Sequence, residues 1–174
     1  MADTPEIPES KDPYEKQVAI TIAMLAVILS LVSNFGDNAK TEAIIKTNEA
    51  TNKWGYFQSK SIKEHLTSSE SEILTLLSAN GDKVAIDKAL ERLHADKERY
   101  GKEKGEIKGE AEQLIKDAST DQRINDRCDL SSLFLQFAII LCSVAILSRW
   151  KILWGLGLAT GLGGAVVGVT AWLL

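Results

Sequence analysis

Hydrophobic positions are gathered into three uninterrupted runs instead of alternating with polar positions. Residues 18–35, 130–147 and 152–174 contain no Asp, Glu, Lys or Arg, so all 44 charged residues lie in the remaining 115 positions. A soluble core would mix apolar and polar residues at helical or strand period. A bilayer is crossed by about 17–25 apolar helical residues. The pattern therefore predicts an all-α membrane protein with three transmembrane helices.

The segments that flank these runs differ from one another. Residues 1–17 are acidic and contain all three prolines of the chain, which predicts a disordered N-terminal tail. This tail is a poor n-region for a signal peptide, so we interpret the first run as a membrane anchor. Residues 148–151 alone separate the second run from the third, which predicts a tight antiparallel membrane hairpin.

The third run is the richest in glycine and carries a candidate interface. Gly157, Gly161, Gly164 and Gly168 are spaced by 4, 3 and 4 residues and share one helix face. Small residues at this spacing let helix backbones approach closely in lipid. The face predicts a packing interface, either between copies of the chain or within one chain. The remaining alternative is that glycine is simply frequent in membrane helices.

The segment between the first two runs, residues 36–129, is expected to form a long helical hairpin outside the membrane. It contains no proline, and its clear break is Asn80-Gly81-Asp82. Gly81 fits the position after a helix C-terminus and Asp82 fits the next N-cap. We therefore expect two antiparallel helices with a turn near 79–83.

Apolar residues in this segment follow a coiled-coil pattern. In the second half the steps alternate between 4 and 3 over ten positions, eight of them apolar, which is a heptad seam. The ten positions are Ile86, Leu90, Leu93, Lys97, Tyr100, Lys104, Ile107, Ala111, Leu114 and Ala118. The first half has a less regular stripe of Ala43, Ala50, Trp54, Phe57, Ile62, Leu66, Ile73, Leu76 and Leu77. Heptads do not decide whether the helices pair within one chain or between copies.

An intrachain hairpin would bring an aromatic cluster close to three glycines. Trp54 would lie opposite residue 108, and Phe57 opposite Gly105. Each glycine costs a helix up to about 1 kcal/mol relative to alanine. We therefore expect Gly101, Gly105 and Gly109 to leave room for Trp54, Tyr56 and Phe57. The alternative is a solvated face without a packing role.

Residue patterns that would carry chemistry are missing from the sequence. The two cysteines form no CxxC motif, and no Walker A loop or G-x-S-x-G is present. Two histidines without metal-ligand spacing do not predict a metal site. The net charge of −4 argues against nucleic acid. The sequence predicts no enzyme, no cofactor and no small-molecule substrate.

The segment from Trp54 to Lys63, WGYFQSKSIK, resembles a bacterial membrane family of unknown function, the DUF4337 family. Its members share a variable acidic tail, one span, a W-x-[YF]-[YF]-Q-x-K-S-I-K segment, a charged helical stretch and a C-terminal membrane hairpin. Gly55 and Ser59 stand where that motif often has Ala. The resemblance implies a bacterial membrane protein and no activity. The residues it singles out are Trp54, Tyr56, Phe57, Gln58, Lys60 and Lys63.

Together these patterns predict a non-enzymatic scaffold or interaction protein of the bacterial inner membrane. We expect it to contact lipid and to self-associate through the glycine face and the coiled-coil segment. The alternatives are an oligomeric channel or transport subunit, and a small accessory subunit of a larger membrane complex. Short basic loops favour a cytoplasmic N-terminus and a cytoplasmic 148–151 turn, with residues 36–129 in the periplasm.

Overall fold

Three α-helices make up the part of the chain that the computed structural model describes, residues 13–78 and 82–173. Helix α1 spans Pro13–Leu77, α2 spans Lys83–Ser148 and α3 spans Lys151–Trp172. These residues contain no strand. Each helix includes a stretch that is long and apolar enough to cross a membrane. The expected all-α fold is therefore confirmed.

Helix α1 begins earlier than the sequence pattern indicated. Pro13 occupies its first position, where the missing N–H removes no intrahelical hydrogen bond. Residues 13–17, which we assigned to the tail, are therefore helical. The rest of that tail, residues 1–12, lies outside the described residues.

The start of α2 has the cap that the sequence indicated. The backbone N–H of Val84 donates to Asp82 Oδ1 at 3.1 Å. The backbone N–H of Ile86 donates to the Asp82 carbonyl oxygen at 3.1 Å. The Asp82 side chain thus satisfies the Val84 N–H, which otherwise has no partner within the helix, while its carbonyl accepts the first regular hydrogen bond of α2. Gly81, expected just after the end of α1, lies outside the described residues.

The chain divides into two compact units. The three-helix unit consists of α1 up to Thr41, α2 from Thr120 onwards, and α3. The two-helix unit is Glu42–Ser119 and consists of the remaining parts of α1 and α2.

The core of the three-helix unit is narrow and contains several small residues. Val18 and Leu25 on α1 are buried together with Leu135, Ala138 and Cys142 on α2. Many large apolar side chains of this unit point outward instead. This exposure suits helices whose surroundings are apolar.

Two residues, Arg149 and Trp150, connect α2 to α3 in the three-helix unit. Arg149 has a φ of 53°, which is the left-handed conformation that often follows a helix C-terminus. The backbone N–H of Leu153 donates to the Trp150 carbonyl oxygen at 3.1 Å, which closes the first turn of α3. The turn is thus shorter than the four residues that separate the two uncharged runs, because Ser148 and Lys151 belong to the helices.

In the two-helix unit, α1 and α2 run in opposite directions. Lys53 lies opposite Glu110, and further along α1 Lys60 lies opposite Glu103. This register differs by one residue from the one we expected. Nine of the ten seam positions on α2 are buried or half-buried, while Lys97 is exposed.

The apolar stripe that we assigned to α1 is wrong in its second half. Ala43 and Ala50 are buried as expected. The five residues beyond Phe57 are instead 56–81% exposed, namely Ile62, Leu66, Ile73, Leu76 and Leu77. The sequence interpretation assumed that every apolar residue of this stripe packs against α2. Polar residues occupy much of the face that contacts α2.

Candidate functional site

The glycine face of α3 is a packing surface inside the three-helix unit. Gly157, Gly161 and Gly164 are buried, and Gly168 is half-buried. A Cβ atom at Gly157 would lie 2.7 Å from Cys142 Sγ and 3.1 Å from the Ala138 carbonyl oxygen. Glycine is needed here because a side chain would collide with α2.

The next two turns of α3 are packed as tightly. A Cβ atom at Gly164 would lie 2.9 Å from Phe134 Cβ and 3.1 Å from the Ser131 carbonyl oxygen. At Gly161 the nearest atom is Cδ2 of Leu25, on α1, at 2.7 Å. Both neighbouring helices therefore cover the same glycine face.

Hydroxyl groups connect the helices at this contact. Ser131 Oγ donates to the Gly164 carbonyl oxygen at 2.7 Å. The hydroxyls of Ser33 on α1 and Ser132 on α2 lie 3.3 Å apart and share a hydrogen bond. Such bonds contribute about 0.6 kcal/mol each between membrane helices.

The glycine face is thus the intrachain interface that was one of our two interpretations. Self-association through Gly157, Gly161, Gly164 and Gly168 stays a prediction, and these contacts do not support it because α1 and α2 of the same chain already cover the face. Gly155 and Gly163 differ, since a Cβ atom at either position would meet nothing within 4 Å.

Gly36 is a close contact that the sequence interpretation missed. Its Cβ position lies 2.7 Å from Cβ of Cys128. A weak signal was available, because small residues recur every seven positions at Gly36, Ala43 and Ala50. The same spacing places small or short residues at 111, 118 and 125 on α2.

Two ion pairs between α1 and α2 lie at the end of the motif segment, in addition to the Lys53–Glu110 pair. Lys60 pairs with Glu103, and Lys104 pairs with Glu64. The hydrogen bond from Lys104 holds the pKa of the Glu64 carboxyl below its ordinary value. The hydrogen bond from Lys60 lowers the pKa of Glu103 in the same way. Lys104, a polar interruption of the α2 seam, therefore has a partner across the seam.

Aromatic rings surround these ion pairs. The Lys60 ammonium lies 5.3 Å from the centroid of the Tyr100 ring, and Lys104 lies 5.9 Å from that of Phe57. Trp54 and Phe57 form an edge-on pair with centroids 5.3 Å apart. Cations over aromatic faces at such distances add to the attraction between the helices.

The expected fit between the aromatic residues and the α2 glycines is wrong. A Cβ atom at Gly105 or Gly109 would meet nothing within 4 Å. At Gly101 it would approach only Glu64 Oε1, at 3.8 Å. The rings pack against one another and against lysines instead, so the glycines do not make room for them.

The other motif residues have no ion pair or aromatic contact with α2 among the contacts described above. Tyr56, Gln58 and Lys63 are exposed. Their exposure places them on the surface of the two-helix unit.

Residues 13–78 and 82–173 hold no group of three or more His, Cys, Asp or Glu side chains that could bind a metal ion.

These features define an all-helical protein with three helices that are long and apolar enough to span a membrane. The chain belongs to the DUF4337 family, described as a domain of unknown function, whose model matches residues 14–174. The family resemblance seen in the Trp54–Lys63 segment is therefore confirmed over nearly the whole chain. Neither a curated protein nor a solved structure matches this chain.

Proposed function

We propose that this chain is a non-enzymatic scaffold or interaction protein of the bacterial inner membrane. The apolar stretches of α1, α2 and α3 cross the bilayer, and the two-helix unit forms an antiparallel coiled-coil hairpin outside it. The ion pairs and the α2 seam support the hairpin. The protein acts by self-association through that hairpin.

The observation that carries this proposal is an exposed apolar surface in the charged part of the chain. Ile62, Leu66 and Ile73 are 60%, 56% and 56% exposed. They lie in the two-helix unit, far along the sequence from the apolar run at 18–35. Contiguous exposed apolar surface of this kind marks an interaction site.

The proposed topology puts the N-terminus and the 148–151 turn in the cytoplasm and residues 36–129 in the periplasm. Arg149 and Lys151 lie in a short loop, where positive charge favours the cytoplasmic side. Arg149 also contacts Glu15 at 3.5 Å, which supports a common side for the turn and the start of α1.

The channel alternative, in which glycine-rich last spans line a pore, has less support. A pore-lining face must be open to water, whereas Gly157, Gly161 and Gly164 are in close contact with α1 and α2. The second alternative, an accessory subunit of a larger membrane complex, is one of the outcomes that the following experiment can detect.

Co-purification of two differently tagged copies tests the proposal. Both copies are expressed in one bacterial membrane, solubilised mildly and purified through one tag. We expect the second tag to co-purify in comparable amount. Recovery of only the first copy would overturn self-association, and recovery of the first copy with a different, larger protein would favour the accessory subunit.

A further inference from the structure

Two arginines lie on one face of α2, just before the uncharged stretch of that helix. Arg123 and Arg127 are four residues apart, so their side chains start from the same face. The uncharged run at 130–147 begins three residues beyond Arg127. Both arginines belong to the three-helix unit, and both are exposed. The pair therefore places two positive charges at the edge of an apolar stretch.

A contact with α3 holds Arg127 at the same edge. The Arg127 guanidinium donates a hydrogen bond of 3.2 Å to the hydroxyl oxygen of Thr170. That hydroxyl donates in turn to the Val167 carbonyl oxygen at 2.7 Å. Thr170 lies in the uncharged run at 152–174. Arg127 is therefore beside the apolar stretch of α3 as well as that of α2.

The arginines face an open cleft. Its volume is about 480 Å³, and it is lined by Arg123, Asp126, Arg127 and Leu130. Neither arginine forms an ion pair with any residue that the structure describes. The Asp126 carboxylate accepts a hydrogen bond of 2.9 Å from Gln122 on the same helix. A guanidinium has five N–H donors and binds phosphate oxygens through two of them at once. The cleft is therefore suited to a phosphate group.

Exposed apolar residues continue this face of α2 beyond the arginines. Leu130, Phe134 and Phe137 follow at steps of three, four and three residues, and they are 47%, 39% and 61% exposed. From Arg127 to Phe137 the helix rises about 15 Å, which is half the thickness of the hydrocarbon core of a bilayer. The face thus has a cationic end and an apolar length that match the phosphate and one acyl chain of a phospholipid.

We propose that this face binds one anionic phospholipid. The phosphate group lies between the guanidinium groups of Arg123 and Arg127. One acyl chain lies along Leu130, Phe134 and Phe137. A soluble phosphate would gain only the attraction of exposed charges, whereas a lipid adds the apolar contact. This inference rests on the membrane crossing in the proposed function and does not depend on self-association.

Native mass spectrometry of the full chain in detergent, titrated with phosphatidylglycerol, tests the site. We expect wild type to retain one phosphatidylglycerol per chain at concentrations where phosphatidylcholine, which has no net charge, is not retained. Arg123→Gln and Arg127→Gln should each weaken binding about fivefold, and R123Q/R127Q about 25-fold, since each removes one positive charge near the membrane surface. A wild-type chain that retains both lipids equally would overturn the proposal.

Lys40→Gln is the matched control for these variants. It also removes one exposed positive charge from the three-helix unit, five residues beyond the apolar run at 18–35. It should leave phosphatidylglycerol binding unchanged. Equal losses in Lys40→Gln and Arg127→Gln would show a diffuse attraction between the chain and the lipid and would overturn the cleft. Circular dichroism checks that every variant keeps its helix content.

Competition with a soluble phosphate separates the two sources of this chemistry. Glycerol 3-phosphate carries the phosphate group without an acyl chain. It should leave phosphatidylglycerol bound even in large excess, because it lacks the apolar contact with α2. Displacement of the lipid by glycerol 3-phosphate would overturn the lipid assignment in favour of a soluble phosphate.

The outcomes also separate this inference from the proposed function, because the same spectra count copies of the chain and bound lipids. Particles of two or more copies without phosphatidylglycerol would overturn this inference alone. A single copy that retains the lipid would overturn self-association alone. A chain that fails to incorporate into vesicles would overturn the membrane crossing and this inference together.

Discussion

Ser131 on α2 donates a hydrogen bond of 2.7 Å to the carbonyl oxygen of Gly164 on α3. The same glycine has Phe134 Cβ only 2.9 Å from where its own Cβ would be. Close backbone approach and the interhelical hydrogen bond therefore occur at one position. Membrane helices associate through both of these contributions.

Gly164→Ala should destabilise the protein by about 1–3 kcal/mol, because the added methyl group meets Phe134 and the Ser131 carbonyl oxygen. Thermal unfolding in detergent measures the change. Gly163→Ala is the matched control on the same helix, since its Cβ position is open. It should be neutral or slightly stabilising, and equal losses for the two variants would contradict the packing of α3.

Alanine at Gly105 or Gly109 should stabilise the two-helix unit. The Cβ position is open at both residues, so the change brings only the higher helix propensity of alanine, about 0.5–1 kcal/mol per site. Thermal unfolding of the single and double variants reports the gain. A loss of stability would instead favour the fit with the aromatic residues that the sequence suggested.

Stability of the two-helix unit should fall in acid. The pKa values of Glu64 and Glu103 are below their ordinary value in the folded chain because lysines donate hydrogen bonds to both carboxyls. Their contribution is therefore present above the unfolded pKa of about 4.3 and is lost as the pH falls through the folded pKa values.

Melting temperature measured from pH 7 down to pH 3 tests this expectation. The variant E64Q/E103Q should melt lower than wild type at pH 7 and should converge with it in acid. A constant difference between the two proteins over the whole range would contradict the role of the two carboxyls.

The turn before α3 stores backbone strain at Arg149, whose φ is 53°. Left-handed backbone costs a residue with a side chain about 1 kcal/mol more than it costs glycine. Arg149→Gly should therefore be more stable than Arg149→Ala by about that amount in thermal unfolding. The comparison cancels the loss of charge, because both variants remove the guanidinium. Equal stabilities would mean that the strain is absent.

Parts of the structure followed directly from the sequence. Uncharged runs identified the three stretches that are long and apolar enough to cross a membrane, because charge in a bilayer is costly. The step of 4, 3 and 4 residues identified the α3 face because glycines on one side of a helix allow close packing. Asp82 was recognised as an N-cap because it follows the break at Asn80-Gly81 and its side chain can accept a backbone N–H.

Features that depend on tertiary partners could not be predicted this way. Spacing alone did not show that α1 and α2 of the same chain cover Gly161 and Gly164. Apolar periodicity pointed to Ile62 and Leu66, whereas α2 contacts the opposite face of α1 through Lys60 and Glu64. Ion pairs between helices leave no hydrophobic signal, so an apolar stripe identified the wrong side.

The mass of the detergent-solubilised particle tests self-association most directly. Native mass spectrometry of the purified full chain, with detergent removed in the gas phase, gives the number of copies. Self-association predicts a particle with the mass of two or more copies of the 19.0 kDa chain and no other protein. A particle with the mass of a single chain would contradict self-association.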